Sequence, residues 1–278
     1  MGNIVGILHP GQMGIALAIS AQMSGNTVLW VSKGRSSASR RRAEGAGLVD
    51  AETLEELCGQ VQILFSVCPP EFAEQLANQV LTTGYRGVYL DANAISPERA
   101  QRIGARMSAA GVEFVDGGII GLPSTDPGET WLHVSGAAAP RIAACMAAGP
   151  TTVNVMGEEV GRASALKMCY AGFNKGSIAL SAAIAAAAHR LNVYPDLAKE
   201  WDRIGPDSNR VQARLLRAAP KAWRWAGEMH EISQTLDAAG LPGEFHEAAA
   251  EVYERLREMK DDLNPAFEEI MRRLNRKA

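Results

Sequence analysis

The sequence is short of several features, and each shortage removes a class of function. Its four cysteines, Cys58, Cys68, Cys145 and Cys169, form no C-x-x-C pair, and none stands near a histidine at metal-ligand spacing. Neither a metal site nor a disulfide framework is expected. Three of the four sit among apolar neighbours, the setting of buried free thiols in a reduced compartment. No apolar run reaches the roughly 18 residues of a membrane span. The alanine-rich stretch from Ile178 to Ala188 is too short and runs into His189-Arg190. The N-terminus lacks the basic segment of a secretory leader, and its apolar stretch is broken by Pro10 and Gly11. A net charge of −3 argues against a nucleic-acid surface. Internal repeats and low-complexity linkers are also missing. Together these shortages predict a cytoplasmic protein with no metal and no nucleic-acid or membrane partner. What remains is a globular composition, 47% hydrophobic and 21% charged, in 278 residues, room enough for two domains.

The most informative stretch is at the start. Asn3-Ile4-Val5-Gly6-Ile7-Leu8 is an apolar run, His9-Pro10-Gly11-Gln12-Met13-Gly14 follows, and Ile15 to Ile19 is small and apolar. This order predicts a buried strand, a tight glycine turn and a helix opening at its glycines. A dinucleotide pyrophosphate sits on such a turn in a Rossmann unit, on the first N–H groups of the helix. The fingerprint G-x-G-x-x-G is incomplete, because His9 stands at its first glycine. Gly11 and Gly14 keep the positions for close backbone approach and for helix–strand packing.

A second strand, Thr27 to Val31, ends in Ser32-Lys33-Gly34-Arg35-Ser36, and Arg40-Arg41-Arg42 follows. NAD-selective units place a carboxylate there; hydroxyls and guanidinium groups instead suit a 2′-phosphate, so NADP(H) is the expected cofactor. A solvated helix face is the other reading of the three arginines. Further strands are expected at Val61–Val67, Gly87–Leu90, Val112–Val115, Trp131–Ser135 and Thr152–Val155. Helices are expected over Ala43–Leu57, broken by Gly45 and Gly47, over Glu71–Leu81, and over Pro97–Ala110 with Ser96 at the N-cap. The alternation predicts an α/β Rossmann-type domain over residues 1–160, its sheet mostly parallel. Polar clusters at Ser32–Ser36, Ser66–Pro69, Asp91–Ser96 and Asp116–Gly121 fall at strand carboxyl ends, where such folds bind ligands.

From residue 161 to 278 no strand is expected, which predicts an all-α C-terminal domain. It opens on one long interdomain helix, Ala163–Leu191, followed by helices near Asp196–Ile204, Asn209–Ala218, Ala222–Ala239 and Pro242–Arg276, the last with a break at Asn264-Pro265. On the long helix Lys167, Tyr170, Ala171, Asn174 and Ile178 share one face. A lysine set between Ala165-Leu166 and Met168-Cys169 must snorkel or find a partner. Facing a cleft, it would bind a carboxylate or carbonyl oxygen and exchange a proton during hydride transfer. A surface lysine is the blander alternative. Lys175 is turned about 80° away by helix geometry. The basic residues Arg210, Arg214, Arg217, Lys221 and Arg224 would suit a phosphorylated sugar, but a solvated helix face is the better reading.

Several of these segments carry a resemblance: Ile7 to Gly14, Asp91 to Pro97, Asp116 to Gly121, Ala163 to Met168, and Arg224 to Met229. The chain resembles the β-hydroxyacid dehydrogenase superfamily. Within it, the chain is similar to 6-phosphogluconate-dehydrogenase-like proteins with a C-terminal helical domain of formerly unknown function. The resemblance implies NAD(P)-dependent hydride transfer on a small acid, and a homodimer with interlocked C-terminal helices. It places the catalytic lysine on Lys167. It implies Gly11, Gln12 and Met13 along the pyrophosphate, Ser32, Lys33, Arg35 and Ser36 at the adenosine end, and Cys68, Pro69 and Asn93 on the nicotinamide side. Asn93, Ile119, Ile120, Tyr170, Asn174 and Trp225 are the implied substrate contacts. The chain departs from the pattern at Ile119-Ile120, where the superfamily has polar residues, and at Ala171, where it has asparagine. Imine reductases of this fold usually lack the lysine. The expectation is an NADP(H)-dependent oxidoreductase acting on a small-molecule carbonyl or hydroxy acid. An imine reductase and a non-catalytic NADP(H) sensor are the alternatives.

Overall fold

The computed structural model describes residues 2–276. They fall into two compact units, the first ending at Lys167 and the second beginning at Met168. The first unit runs β1 (Ile4–Ile7), α1 (Gln12–Met23), β2 (Thr27–Trp30), α2 (Ser37–Gly45), β3 (Val49–Asp50), α3 (Leu54–Gln60), β4 (Ile63–Ser66) and α4 (Ala73–Thr82). It continues with β5 (Val88–Asp91), α5 (Pro97–Ala109), β6 (Glu113–Gly121), β7 (Thr130–Ser135), α6 (Ala139–Cys145) and β8 (Thr152–Val155).

The strands form one sheet in the order β3-β2-β1-β4-β5-β6-β7-β8. Every neighbouring pair is parallel except β6 and β7. The strand order reverses between β1 and β4, so the loops after β1 and β4 part there and leave a crevice at the strand carboxyl ends. Helices cover both faces, which explains the apolar runs in the strands. Alternate side chains serve opposite faces: Val5, Ile7, Ile63, Phe65, Val88 and Leu90 join one core, and Leu8, Leu64 and Tyr89 the other.

Three local expectations change. The stretch Ala43–Leu57 is two helices with a strand between them. Gly47, at φ +66°, reverses the chain after α2, and a Thr53–Glu56 capping box restarts it as α3. The two-residue β3 is exposed and too short to show alternation. The helix expected from Glu71 opens as a 3₁₀ turn, Pro70–Phe72, before α4. The largest change is β6. The segment Asp116–Gly121 is not a loop at a strand end but the second half of the strand, paired antiparallel with β7 from Asp116↔Ser135 to Gly121↔Thr130. Gly117 and Gly118 pass through the sheet and give room to the layer above.

The chain passes from the first unit to the second within α7 (Arg162–Arg190), a helix of 29 residues. The second unit continues as α8 (Tyr194–Ile204), α9 (Ser208–Ala218), α10 (Ala222–Ala238), α11 (Glu244–Glu254) and α12 (Phe267–Leu274). The stretch Pro242–Arg276 is two helices, and the interruption between them holds the expected break at Asn264-Pro265 but begins earlier, with a 3₁₀ turn at Arg257–Met259. The core of this unit contains Leu215, Met229, Ile232, Tyr253, Phe267 and Ile270. Among the described residues no helix is long and apolar enough to cross a membrane. No group of three or more His, Cys, Asp or Glu side chains among them is placed to hold a metal ion.

Candidate active site

The glycine turn is built as its spacing requires. A Cβ on Gly14 would stand 2.3 Å from the His9 carbonyl oxygen, so only glycine lets α1 pack this closely on the end of β1. A Cβ on Gly11 would meet nothing within 4 Å: the backbone there borders open space. Gly11 is the N-cap of α1, in extended conformation and without a side-chain capping bond, and no acidic residue lies in the first turn. The first N–H groups of α1, on Gln12 and Met13, are thus left to a ligand, and the helix dipole favours an anion.

Around this turn lie two buried polar atoms without partners, His9 Nδ1 and Arg35 Nε. Burial, reinforced by the Arg35 charge, pushes the His9 imidazole down to about 4. Burial also lowers Arg35, opposed by Cys68. His9 follows β1, Arg35 follows β2 and Cys68 follows β4. Arg35 therefore lies within electrostatic reach of the carboxyl ends of three adjacent strands. A dinucleotide phosphate fits this donor set: an open glycine backbone, an uncapped helix and two unsatisfied basic side chains.

The remaining residues after β2 divide. Ser32 is buried, while Lys33 and Ser36 are exposed. The Ser36 hydroxyl caps α2 by accepting from the Ser39 N–H. Of the three arginines, Arg40 lies over the Trp30 ring at 5.9 Å and 3.9 Å from Asp50, and Arg41 is exposed. Arg42 Nε donates to the Pro10 carbonyl at 3.0 Å, which ties α2 to the glycine turn.

On the other side of β1, Asn93 is 2% exposed and both ends of its amide have internal partners. Its Oδ1 accepts from the Cys68 N–H at 2.6 Å, and its Nδ2 donates to Ser66 Oγ at 3.0 Å. Asn93 thus fixes the loop carrying Cys68 and Pro69 against the end of β5. Asp91 Oδ1 accepts from the Asn93 N–H at 3.1 Å. Burial lifts the Asp91 carboxyl to about 7. The Cys68 thiol is pushed up to about 12 by burial, with Asp91 and Glu71 adding to it, so it stays protonated.

The third part of the site was not legible as a unit. Asp116, 1% exposed, receives four hydrogen bonds. Its Oδ2 accepts from Ser135 Oγ at 3.1 Å, Gly161 N–H at 3.0 Å and Ser164 N–H at 3.0 Å. Its Oδ1 accepts from Ser164 Oγ at 2.5 Å. A carboxylate from the middle of β6 therefore caps the N-terminus of α7, where both the dipole and the orphan N–H groups favour it. Close packing follows: a Cβ on Gly118 would lie 2.7 Å from the Ala163 carbonyl and 3.0 Å from Lys167 Cβ. One turn beyond this anchor, half-buried Lys167 donates from Nζ to the Ile119 carbonyl at 2.8 Å. Ile119 is buried and Ile120 half-buried. Asp116 was marked only as part of a polar cluster, and Ser135 and Ser164 were not singled out, because the three meet only where β7 pairs with β6 and the start of α7 packs on both.

In the second unit Tyr170 is 45% exposed, and its carbonyl accepts from Asn174 Nδ2 at 2.9 Å. Arg214 donates to the Asn174 carbonyl at 3.3 Å, so one of the basic residues read as a solvated face is engaged. Trp225 meets the Tyr253 ring edge-on, 5.3 Å between centroids. Lys175 stands 4.9 Å over the Trp225 ring and pairs with buried Glu228. That pair makes Lys175 a structural residue of this unit.

Residues 188–256 match a domain of unknown function, DUF1932. No curated protein matches the chain. Among solved structures, a conserved protein of unknown function with structural similarity to 3-hydroxyacid dehydrogenases is 25% identical. That likeness covers 92% of this chain and 97% of the other, with a TM-score of 0.67. The 3-hydroxyisobutyrate dehydrogenase of Mycobacterium tuberculosis, solved with L-serine, is 15% identical over 99% of this chain and 100% of its own (TM-score 0.72). An imine reductase variant from Myxococcus stipitatus, solved with NAD+, is 19% identical over 99% and 100% (TM-score 0.55). Residues 4–157, more than half of the chain, match the NAD binding domain of 6-phosphogluconate dehydrogenase, and the chain belongs to that family.

Proposed function

We propose that the protein is an NADP(H)-dependent oxidoreductase that moves hydride between the nicotinamide and a small carbonyl or hydroxy-acid substrate, with Lys167 as proton donor and acceptor. Family membership supports the coarse reading, an oxidoreductase using a nicotinamide cofactor. The observation that carries the finer one is the anchoring of Lys167. The Asp116 cap and the Gly118 contact fix the first turns of α7 on β6, and the ammonium rests on a carbonyl oxygen at 2.8 Å. A group held on one carbonyl oxygen is placed to donate to another.

The bound cofactor supplies or accepts hydride at C4 of the nicotinamide. Gln12 and Met13 bind its diphosphate through backbone N–H groups beside the open backbone of Gly11, Lys33, Ser32 and Ser36 hold the adenosine end and its 2′-phosphate, and Arg35 lies between that end and the diphosphate. Asn93 positions Cys68 and Pro69, which line the nicotinamide side. Lys167 donates a hydrogen bond to the carbonyl oxygen, stabilises the developing alkoxide and delivers its proton. In the oxidative direction Lys167 takes the hydroxyl proton. Substrate contacts are assigned to Asn93, Ile119, Ile120, Tyr170, Asn174 and Trp225. The apolar pair Ile119-Ile120 favours a second reading, an imine reductase, in which Lys167 donates to nitrogen.

A homodimer is part of the proposal. Phe173, Leu180, Ile184 and Leu191 lie at i, i+7, i+11 and i+18, on one face of α7 and just past its end. All four are exposed, Phe173 at 77% and Leu191 at 70%. An apolar stripe of this length marks an interaction surface.

The test is NADPH oxidation against α- and β-carbonyl acids on one side and cyclic imines on the other. Lys167→Ala is expected to fold, to bind NADPH as wild type does, and to lose turnover by about 10²–10⁴-fold. Unchanged turnover sinks the assignment of Lys167. Turnover of imines alone selects the second reading. Binding of NADPH with no turnover on either panel selects a cofactor sensor.

A further inference from the structure

His9 is the residue the proposed function does not use. It replaces the first glycine of the fingerprint, the position at which the turn normally carries no side chain at all. Its backbone does the work of the turn: the carbonyl accepts from the Gly11 N–H at 2.8 Å and lies against Gly14. The imidazole is additional. It is held in the crevice where the strand order reverses, its Nδ1 is buried, and no protein group bonds to it. Arg35, within electrostatic reach of it, has a second buried, unpartnered nitrogen, Nε. Two basic side chains with unsatisfied nitrogens do not stabilise one another; each disfavours the charge of the other. A buried polar atom without a partner is costly, so the arrangement is explained by a ligand that satisfies both.

We propose that His9 and Arg35 form an anion-binding pair for the cofactor diphosphate, and that His9 takes up a proton from solvent when the diphosphate binds. The inference rests on the cofactor reading above and adds to it a proton-linked residue at the place where the fingerprint is broken.

The charges around His9 give the direction. The groups facing it are Arg35 from the loop after β2, Arg42 from α2 on the adjacent Pro10 carbonyl, and, reaching Arg35, the Cys68 thiol after β4. None is an anion at neutral pH, so nothing in the protein favours the imidazolium. Burial and Arg35 hold the imidazole down to about 4. An opposite charge within hydrogen-bonding range raises such a group by about 1–3 units, and the diphosphate brings two charges while Arg35 turns to it. The imidazole then titrates toward neutrality in the complex and remains neutral in the free protein. Protonated, both ring nitrogens donate, so Nδ1 gains the partner it lacks.

The experiment is calorimetric titration of the full chain with NADPH between pH 5.5 and 8, in buffers of different ionisation enthalpy, which counts protons taken up on binding. The variants are His9→Gly, which restores the fingerprint glycine, His9→Gln, which keeps size without titration, and Arg35→Ala. The 2′-phosphate of NADPH titrates near 6 by itself, so the readout is the difference between wild type and the His9 variants. Wild type is expected to take up measurably more protons than either variant, and to gain about tenfold more affinity than they do from pH 8 to pH 6. Arg35→Ala is expected to bind about tenfold more weakly and to shift the uptake to higher pH. Equal proton uptake in wild type, His9→Gly and His9→Gln overturns the inference while the cofactor reading stands. No binding of NADPH or NADH by wild type overturns the cofactor reading and the inference with it.

Discussion

Asp116→Ala tests whether the carboxylate on β6 is what holds the first turns of α7. Four donors converge on it, and two are backbone N–H groups, of Gly161 and Ser164, buried at the start of a helix. The other two are the hydroxyls of Ser135 and Ser164. Hydroxyls rotate and can find other acceptors, so their loss is partly recovered. The backbone donors cannot turn, and each buried unsatisfied one costs about 1–3 kcal/mol. Asp116→Ala is therefore expected to destabilise the first unit by about 4 kcal/mol, a large part of an ordinary domain's stability. Asp116→Asn keeps one acceptor oxygen and is expected to cost about half as much. Urea unfolding followed by far-UV circular dichroism measures both, with the m-value checked, because a chain of two units need not unfold in one step. A loss under about 1 kcal/mol for Asp116→Ala would refute the idea that the cap anchors α7.

Other consequences are more local. Gly118→Ala places a Cβ 2.7 Å from the Ala163 carbonyl; it should lift the first turns of α7 and lower kcat at least tenfold, with NADPH affinity kept within about threefold, as stopped-flow fluorescence would show. The Asp91 carboxyl, about 7 when folded against an ordinary 3.8, binds its proton more tightly in the folded state, so its stabilising protonation is complete below about 4 and is lost as pH rises through 7. Asp91→Asn, which mimics the protonated acid, should flatten the fall in Tm between pH 5 and 8; an unchanged slope would remove Asp91 as its source. Leu180→Glu, on the exposed stripe of α7, should give a folded monomer where light scattering of wild type gives a dimer, and two equal masses would reject the stripe as the interface.

What could be read from the sequence follows the range of the interactions involved. The glycine turn was legible because Gly11 and Gly14 act on backbone within five residues: Gly14 meets the carbonyl of His9. The Lys167 face was legible because a period of 3.6 is local. The strands of the sheet were legible because burial on both faces writes them as apolar runs. The second half of β6 was not, since its pairing with β7 bridges a gap in sequence and Gly117-Gly118 carry the local signature of a turn. Nor was the exposed β3, whose two residues show no pattern. The stripe of arginines after β2 could not be sorted in advance. Arg40, Arg41 and Arg42 have the same chemistry, and only the fold directs one to Asp50, one outward and one to Pro10.

The same division explains why the residue expected to do chemistry and the residues that make it able to do so differ in visibility. Lys167 sits on α7, yet contacts that fix its turn come from β6 and β7. Asp116 reaches Gly161 and Ser164 across 45 and 48 residues, Ser135 joins it across 19, and Ile119 supplies the carbonyl under the ammonium. A lysine on an apolar helix face has several rotamers and a high ordering cost; the cap and the glycine contact remove backbone freedom at its own turn before any ligand arrives. Preorganisation of this kind comes from the sheet and not from the helix. The physical expectation is therefore that conservative changes on the exposed side of α7 leave Lys167 in place. Single-atom changes at Asp116 or Gly118, on the strand whose Ile119 carbonyl holds the ammonium, displace it.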